Sequence, residues 1–339
     1  MATTFKNFLS NDLANTRTLL HEAIPITGSI VSGTYANLNI KEYGHGMFQS
    51  VYDYPHLSSS ANHIFDVTFG YHSESAIQAV ANSQNTKRMN IYNQMAQTLV
   101  GYDTTGSIKK FAQSDGTEIK DALFINFARL LTKDEIKKGS FALTAFTGGT
   151  NVARTFQVEL NDTSGASGYR VDSPAGEYGY LYDETLGAFK GVEKGILYYQ
   201  AGIAVLSGGA VFPQEYGAQS TTGNDGHFTT LSTGSNNDEV ADGLNNRLIN
   251  ISMNNTTELN STIYFCRVNH NDFNYSSNPT YLSGSKIRVK TRAADAPVSY
   301  ITTIGMYSAD NELLAVAKLS EPLRKSSDTE LTLRVRLDY

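Results

Sequence analysis

The chain has no tryptophan, one cysteine and seven prolines, and only 18% of its 339 residues are charged. A lone cysteine, Cys266, excludes an internal disulfide and any all-cysteine metal cage within one chain. Its apolar run, Ile263-Tyr-Phe-Cys266, marks it as a small core residue rather than a reactive thiol. No apolar run reaches the roughly 18–20 residues that a bilayer span needs, and Met1–Ser10 lacks the charged-then-apolar order of a secretory leader. A soluble product of the cytoplasm, without membrane contact, is therefore expected. Basic residues are also too few for a dedicated nucleic-acid binder, with 27 Lys and Arg against 33 Asp and Glu and a net charge of −6. The basic pairs Lys87-Arg88, Lys137-Lys138 and Arg324-Lys325 stand apart and read as solvated faces.

What the chain does have is Ser, Thr, Asn and Gly, together with 20 Tyr and 16 Phe. That mixture suits strands and turns better than helices, and Tyr suits half-buried sheet faces and interfaces. The expected fold is mainly β with a few helices (α+β), built from antiparallel sheets in a sandwich-like arrangement. Four regions are expected: an N-terminal arm or docking helix over 1–30, a mixed α+β region over 31–150, a β-rich, loop-containing region over 151–245, and an antiparallel β domain over 246–339.

Local patterns place the elements. Leu13, Thr16, Leu19, Leu20 and Ala23 fall near helical spacing before Pro25 and predict a helix over 11–23. A second helical region is expected over 74–100, broken near 82–86, with Ile77, Val80, Ile91, Met95, Ala96, Leu99 and Val100 on one side. Ala122–Phe127 reads as a buried strand, and Thr132-Lys-Asp-Glu135 has the order of a capping box opening a short helix. Further strands are expected at 64–69, 141–147, 156–160, 178–182 and 195–207, and a partner-ordered loop at 214–238. At the C-terminus, Val298–Tyr307 and Glu312–Leu319 flank the turn-forming Ser308-Ala-Asp-Asn311 and predict a hairpin. With Lys286–Thr291 they form an antiparallel meander. Leu331, Leu333, Val335 and Leu337 alternate with Thr332, Arg334, Arg336 and Asp338, so one face buries and the other meets water or a partner.

Signals of chemistry are sparse. Ser207-Gly-Gly-Ala210 and Thr147-Gly-Gly-Thr150 lack the neighbours of a phosphate loop. Five of the seven histidines lie in the first quarter of the chain, yet none has a ligand partner at zinc spacing. His63 and His72 flank one strand and could share a site. Asp115-Gly-Thr-Glu118 and His270-Asn-Asp-Phe-Asn274 are incomplete calcium-loop fragments. Asp183/Glu184 and Asp238/Glu239 could each supply one acid of a glycosidase pair, but solvated turn carboxylates explain them more simply. No catalytic, metal or cofactor residue is assigned, and no small-molecule substrate is expected.

Several segments resemble virion structural proteins of tailed, myovirus-like marine bacteriophages. They are Tyr300-Ile-Thr-Thr-Ile-Gly-Met-Tyr307, Asn311-Glu-Leu-Leu-Ala-Val-Ala-Lys-Leu-Ser320, Leu333-Arg-Val-Arg-Leu-Asp-Tyr339 and, upstream, Tyr43–Tyr54, Asn90–Met95 and Phe273–Thr280. The hairpin pattern of Ile-Gly, an aromatic, a turn and Leu-x-Ala-Val-Ala is similar to one in tail-fibre and baseplate proteins. The resemblance implies a non-enzymatic virion subunit of the tail, baseplate or neck. It would be made in the host cytoplasm and assembled with other virion proteins, as a homo-oligomer in a symmetric particle. A capsid-associated decoration protein and a receptor- or glycan-binding tail protein are the alternatives. The residues expected at the interface are Thr332, Arg334, Arg336, Tyr339, Leu13 and Leu20.

Overall fold

The computed structural model describes residues 5–24, 26, 38–75, 85–148, 156–185, 190–208, 240–241, 244–245, 248–276, 280–284, 286–287, 292, 294 and 296–339. The expected loop at 214–238, the helical stretch 76–84 and most of the strand at 286–291 lie outside them. The protein is predominantly β, and its sheets are antiparallel. Its residues divide into two compact units, one of Leu20–Thr257 and one of Met1–Leu19 with Glu258–Tyr339.

The first element corrects an expectation. Leu13–Ile24 is not a helix but a strand, β1, which pairs with β15 (Leu248–Val268). A lone twelve-residue helix is marginal in water, because its first turn must be fixed before propagation repays it. The strand finds non-local partners instead. In the C-terminal unit Thr16 Oγ1 donates to the Ser261 carbonyl at 3.4 Å, and Arg17 pairs with Glu258. In the larger unit His21 Nδ1 lies 3.1 Å from Thr256 Oγ1, and Lys133 Nζ lies 2.9 Å from Glu22.

In the larger unit, β2 (Ile40–Glu42), β3 (Gln49–Tyr52) and β4 (His63–Tyr71) form one end of a sheet. Helix α1 (Asn85–Leu99) follows, then the small hairpin β5 (Phe111–Ala112) and β6 (Glu118–Ile119), and then β7 (Asp121–Phe127). The expected helix at 132–135 is not formed. One helical turn, α2 (Arg129–Thr132), precedes it, and β8 (Glu135–Ile136) pairs with Asn255 and Thr256 instead. A ladder to a distant strand outweighs the local capping order. The sheet continues with β9 (Ala142–Gly148) and β10 (Phe156–Asn161), a short turn α3 (Gly165–Gly168), β11 (Arg170–Ser173), β12 (Gly176–Asp183), β13 (Glu193–Tyr198) and β14 (Ile203–Ser207). The strand order is β15-β9-β10-β12-β13-β14-β7-β4-β3-β2.

Apolar material lies on both sides of the central strands. Leu123, Ile125 and Phe127 enter one core, and Ala122 and Phe124 enter the other with Ile91, Tyr92, Ala96 and Leu99 of α1. This is why Ala122–Phe127 reads as a continuous apolar run instead of an alternating one. Helix α1 stops where Gly101, at φ +87°, donates its N–H to the Ala96 carbonyl.

In the C-terminal unit, β16 (Leu282–Ser283) pairs with β17 (Lys286–Ile287), and β18 (Val298–Tyr307) pairs with β19 (Leu313–Ser326) as a two-stranded ribbon. The expected hairpin is present, with Asn311 at φ +64° in its turn. The C-terminal strands are antiparallel as expected, but β20 (Leu331–Asp338) takes β15 as its partner, with Val335 opposite Tyr264 and Leu333 opposite Cys266. Leu331, Leu333, Val335 and Leu337 turn inward, and Thr332, Arg334, Arg336 and Asp338 are exposed, as the alternation predicts.

A candidate assembly surface on the C-terminal unit

The exposed side chains of β20 form one polar stripe. Arg334 stands opposite Phe265 and Arg336 opposite Ile263, both half-buried, so the guanidinium stems lie over apolar neighbours. Arg336 Nε donates to Asp338 Oδ1 at 2.7 Å, and its Nη2 donates to Ser261 Oγ at 3.0 Å. Tyr339 is 74% exposed, yet its backbone exchanges hydrogen bonds with Asn260 at 2.8 and 3.1 Å and its hydroxyl lies 3.0 Å from Thr262 Oγ1. The structure thus brings Thr332, Arg334, Arg336 and Tyr339 onto β20 and its end. Leu13 and Leu20 are exposed on β1, and Leu20 belongs to the other unit.

Sequence reasoning missed the ribbon as a surface. Its base is anchored by buried Ser299, Lys325 and Ser326, while towards the turn Tyr307, Leu313, Leu314 and Val316 stand open, with Leu314 69% and Val316 51% exposed. Isolated two-stranded hairpins are marginal in water. The two edges differ. Strand β19 carries Lys318, Glu321, Pro322 and Arg324, the charges and imino acid that blunt an edge against pairing, whereas β18 has no charge and no proline from Val298 to Tyr307. That absence of charge is the signal in the sequence that could have pointed to it.

Beside β18 runs a groove of about 690 Å³, lined by Phe265–Val268, Phe273, Tyr275, Ser276, Ser299–Ser308 and the N-terminal residues Phe5–Phe8. The arm is held at three points, one of them, Tyr307, in the groove wall. Phe5 meets the Tyr307 ring edge-on at 5.4 Å, Lys6 Nζ lies 2.7 Å from Asp272, and the Phe8 and Tyr264 rings are 5.4 Å apart. Partly exposed ion pairs contribute about 0–1 kcal/mol and ring pairs about 0.5–1.5 kcal/mol. Asp12 is buried, pairs with Arg267 Nε at 2.6 Å and accepts the Leu9 N–H at 2.9 Å. Cys266 lines this groove and is half-buried rather than a core residue. Burial, with the nearby Asp12 carboxylate, raises its thiol pKa and keeps it protonated.

No protein-family model, curated protein or solved structure matches the chain.

The described candidates for chemistry are engaged in hydrogen bonds and ion pairs within the fold. His270 and Asn274, the ends of the incomplete calcium-loop fragment, turn their oxygens onto the ammonium of Lys325, at 3.0 Å from the His270 carbonyl and 2.6 Å from Asn274 Oδ1. Asp115 closes the β5–β6 turn by accepting the Thr117 N–H at 2.8 Å. Asp183 is fully buried and faces Lys194 at 3.6 Å, while Glu184 lies 3.6 Å from Lys190. Asp238, Glu239 and His227 lie outside the described residues. His63 and His72 sit at opposite ends of β4, roughly 30 Å apart at a strand's rise per residue, so they share no site. Among the described residues no three His, Cys, Asp or Glu side chains gather as metal ligands. Two of the basic residues expected in solvent, Arg88 and Lys325, are instead fully buried.

A second patch lies on β2–β4 of the larger unit. Tyr43 and His45 stack at 5.2 Å, Phe48 lies 4.9 Å from Tyr43, and Tyr52 packs on His56 and His63. Asp66 Oδ1 accepts from Ser50 Oγ and lies 2.8 Å from His63 Nε2. The Asp66 carboxylate therefore bridges the Ser50 hydroxyl and the His63 imidazole, and the imidazole faces the carboxylate, not the serine.

Proposed function

We propose that the chain is a structural subunit of a tailed-phage particle, of the tail, baseplate or neck, which acts by associating with other copies and other virion proteins and not by turnover. The observation that supports association is the β18–β19 ribbon: an uncharged strand edge beside exposed Tyr307, Leu313, Leu314 and Val316. Left bare, such an edge pairs with whatever chain it meets, so a specific cover is the physical expectation. Covering the exposed part of each of these side chains contributes about 1 kcal/mol. The phage setting is supported by the segmental resemblance, which includes this same hairpin.

The test is the double substitution Leu314→Lys and Val316→Lys. Both side chains are solvent-facing, so the thermal midpoint should stay close to that of the wild type, while self-association in sedimentation and incorporation into purified particles should fall. A wild-type chain that stays single at high concentration and is absent from particles overturns the proposal.

The patch of Tyr43, His45, Phe48 and Tyr52 supports a second reading, a glycan-binding tail protein, because ring faces stack on sugars. Glycan-array binding that is lost in Tyr43→Ala but kept in the ribbon variant would favour it.

A further inference from the structure

The arm fills its groove incompletely. About 690 Å³ stays open beside it, and Phe5 and Leu9 remain more than half exposed. Its three contacts are individually weak, whereas Asp12 behind them is buried and doubly held. The part that can leave is therefore Phe5–Phe8, and the turn closed by the hydrogen bonds between Leu9 and Asp12 is the hinge it leaves from. What the arm's seat accepts is defined by the contacts already made there: an aromatic against Tyr307 in the groove wall, and beside it a cation against Asp272 and a second aromatic against Tyr264. The same four-residue segment of a second copy supplies that chemistry in that order.

We infer that, in the assembled state, Phe5–Phe8 of one copy docks in this groove of a neighbouring copy in exchange for the neighbour's own arm. The contacts made are the same in either position, so exchange sacrifices none of them, and a neighbour alongside adds cover for the open faces of Phe5 and Leu9. Extended, four residues reach roughly 14 Å, enough to cross a contact between abutting subunits. Once the ribbons hold two copies together, docking becomes effectively intramolecular, so weak contacts suffice. The inference rests on the self-association proposed above.

Two full-length variants test it, Phe5→Cys and Tyr307→Cys, each also carrying Cys266→Ser so that one thiol remains per chain. Both sites are about half exposed, which spares the fold. After mixing under assembling conditions and treatment with a short bismaleimide, the expected product is a two-chain species with one chain of each kind. Its yield should be several-fold above that from either variant alone. A single chain carrying both Phe5→Cys and Tyr307→Cys is the comparison. If it closes on itself while the mixture, still assembled by sedimentation, gives no two-chain product, arm exchange is overturned and self-association stands. If sedimentation shows only single chains, self-association fails and takes arm exchange with it. As an independent measure, copies with Lys6→Glu and copies with Asp272→Lys should each associate more weakly than wild type, and mixing them should restore association. No restoration on mixing counts against exchange.

Discussion

The ammonium of Lys325 donates to the side-chain oxygen of Asn274 at 2.6 Å, inside a shell that leaves the lysine no solvent exposure. Carbonyls of His270 and Ser326 complete the shell at 3.0 and 2.8 Å. A lysine on β19 thereby pins the 270–274 turn to the base of the ribbon. Burial lowers its pKa, and the three acceptors let the side chain remain in place.

Replacing this lysine by methionine keeps the volume but strands three oxygens. Lys325→Met should destabilise the protein by about 1–3 kcal/mol, the cost of leaving buried acceptors unpaired, seen as a lower midpoint in urea. An unchanged midpoint would mean that the ammonium does not hold the turn.

Gly70 of β4 lies directly under α1. A methyl group there would stand 2.7 Å from the backbone nitrogen of Tyr92 and 2.9 Å from the carbonyl oxygen of Arg88, atoms that cannot move without the helix. Gly70→Ala should therefore cost about 1–3 kcal/mol and loosen α1, measured as faster amide exchange over residues 88–96. Ala at a strand position without such a neighbour should not do so.

Asp162 is buried and accepts the N–H groups of Gly139 at 2.7 Å and Phe141 at 2.8 Å. Asparagine offers one acceptor oxygen and turns an NH₂ towards the second donor, so Asp162→Asn should lose about 2 kcal/mol. Equal stability of the two proteins in urea would show that a single accepted bond is enough.

His63 supplies a dependence on pH. Its hydrogen bond to Asp66 raises its pKa above that of a free imidazole, against the opposing effect of burial. A group with a raised folded pKa stabilises fully below its unfolded value, about 6.5, and the contribution is lost as pH rises through the folded pKa. The stability gap between wild type and His63→Gln should therefore be wider at mildly acidic than at mildly alkaline pH. A gap that does not change across that range means that the pair is not charged in the folded protein.

Local chemistry was legible where it acts over a few residues. The run Ala122–Phe127 announced a strand buried on both faces, Ile91, Ala96 and Leu99 marked the packed side of α1, and Ser308–Asn311 marked the ribbon's turn. The alternation of 331–337 gave the outward stripe of Thr332, Arg334 and Arg336. The ribbon's open edge was written there too, as a lack of charge from Val298 to Tyr307, but a lack is easily passed over.

By itself, then, the sequence determined the β-rich class, the buried central strands and which side of the last strand turns outward, because these follow from composition and periods of two or 3.6 residues. Only the tertiary structure decided that Leu13–Ile24 is a strand, that β20 pairs with β15 and not with the ribbon, and that Arg88 and Lys325 leave solvent. Each of these depends on partners far away in the chain, such as Ser261 for Thr16 or His270 for Lys325. Intrinsic preferences of a fraction of a kilocalorie per residue cannot stand against a ladder or a buried shell supplied from such a distance.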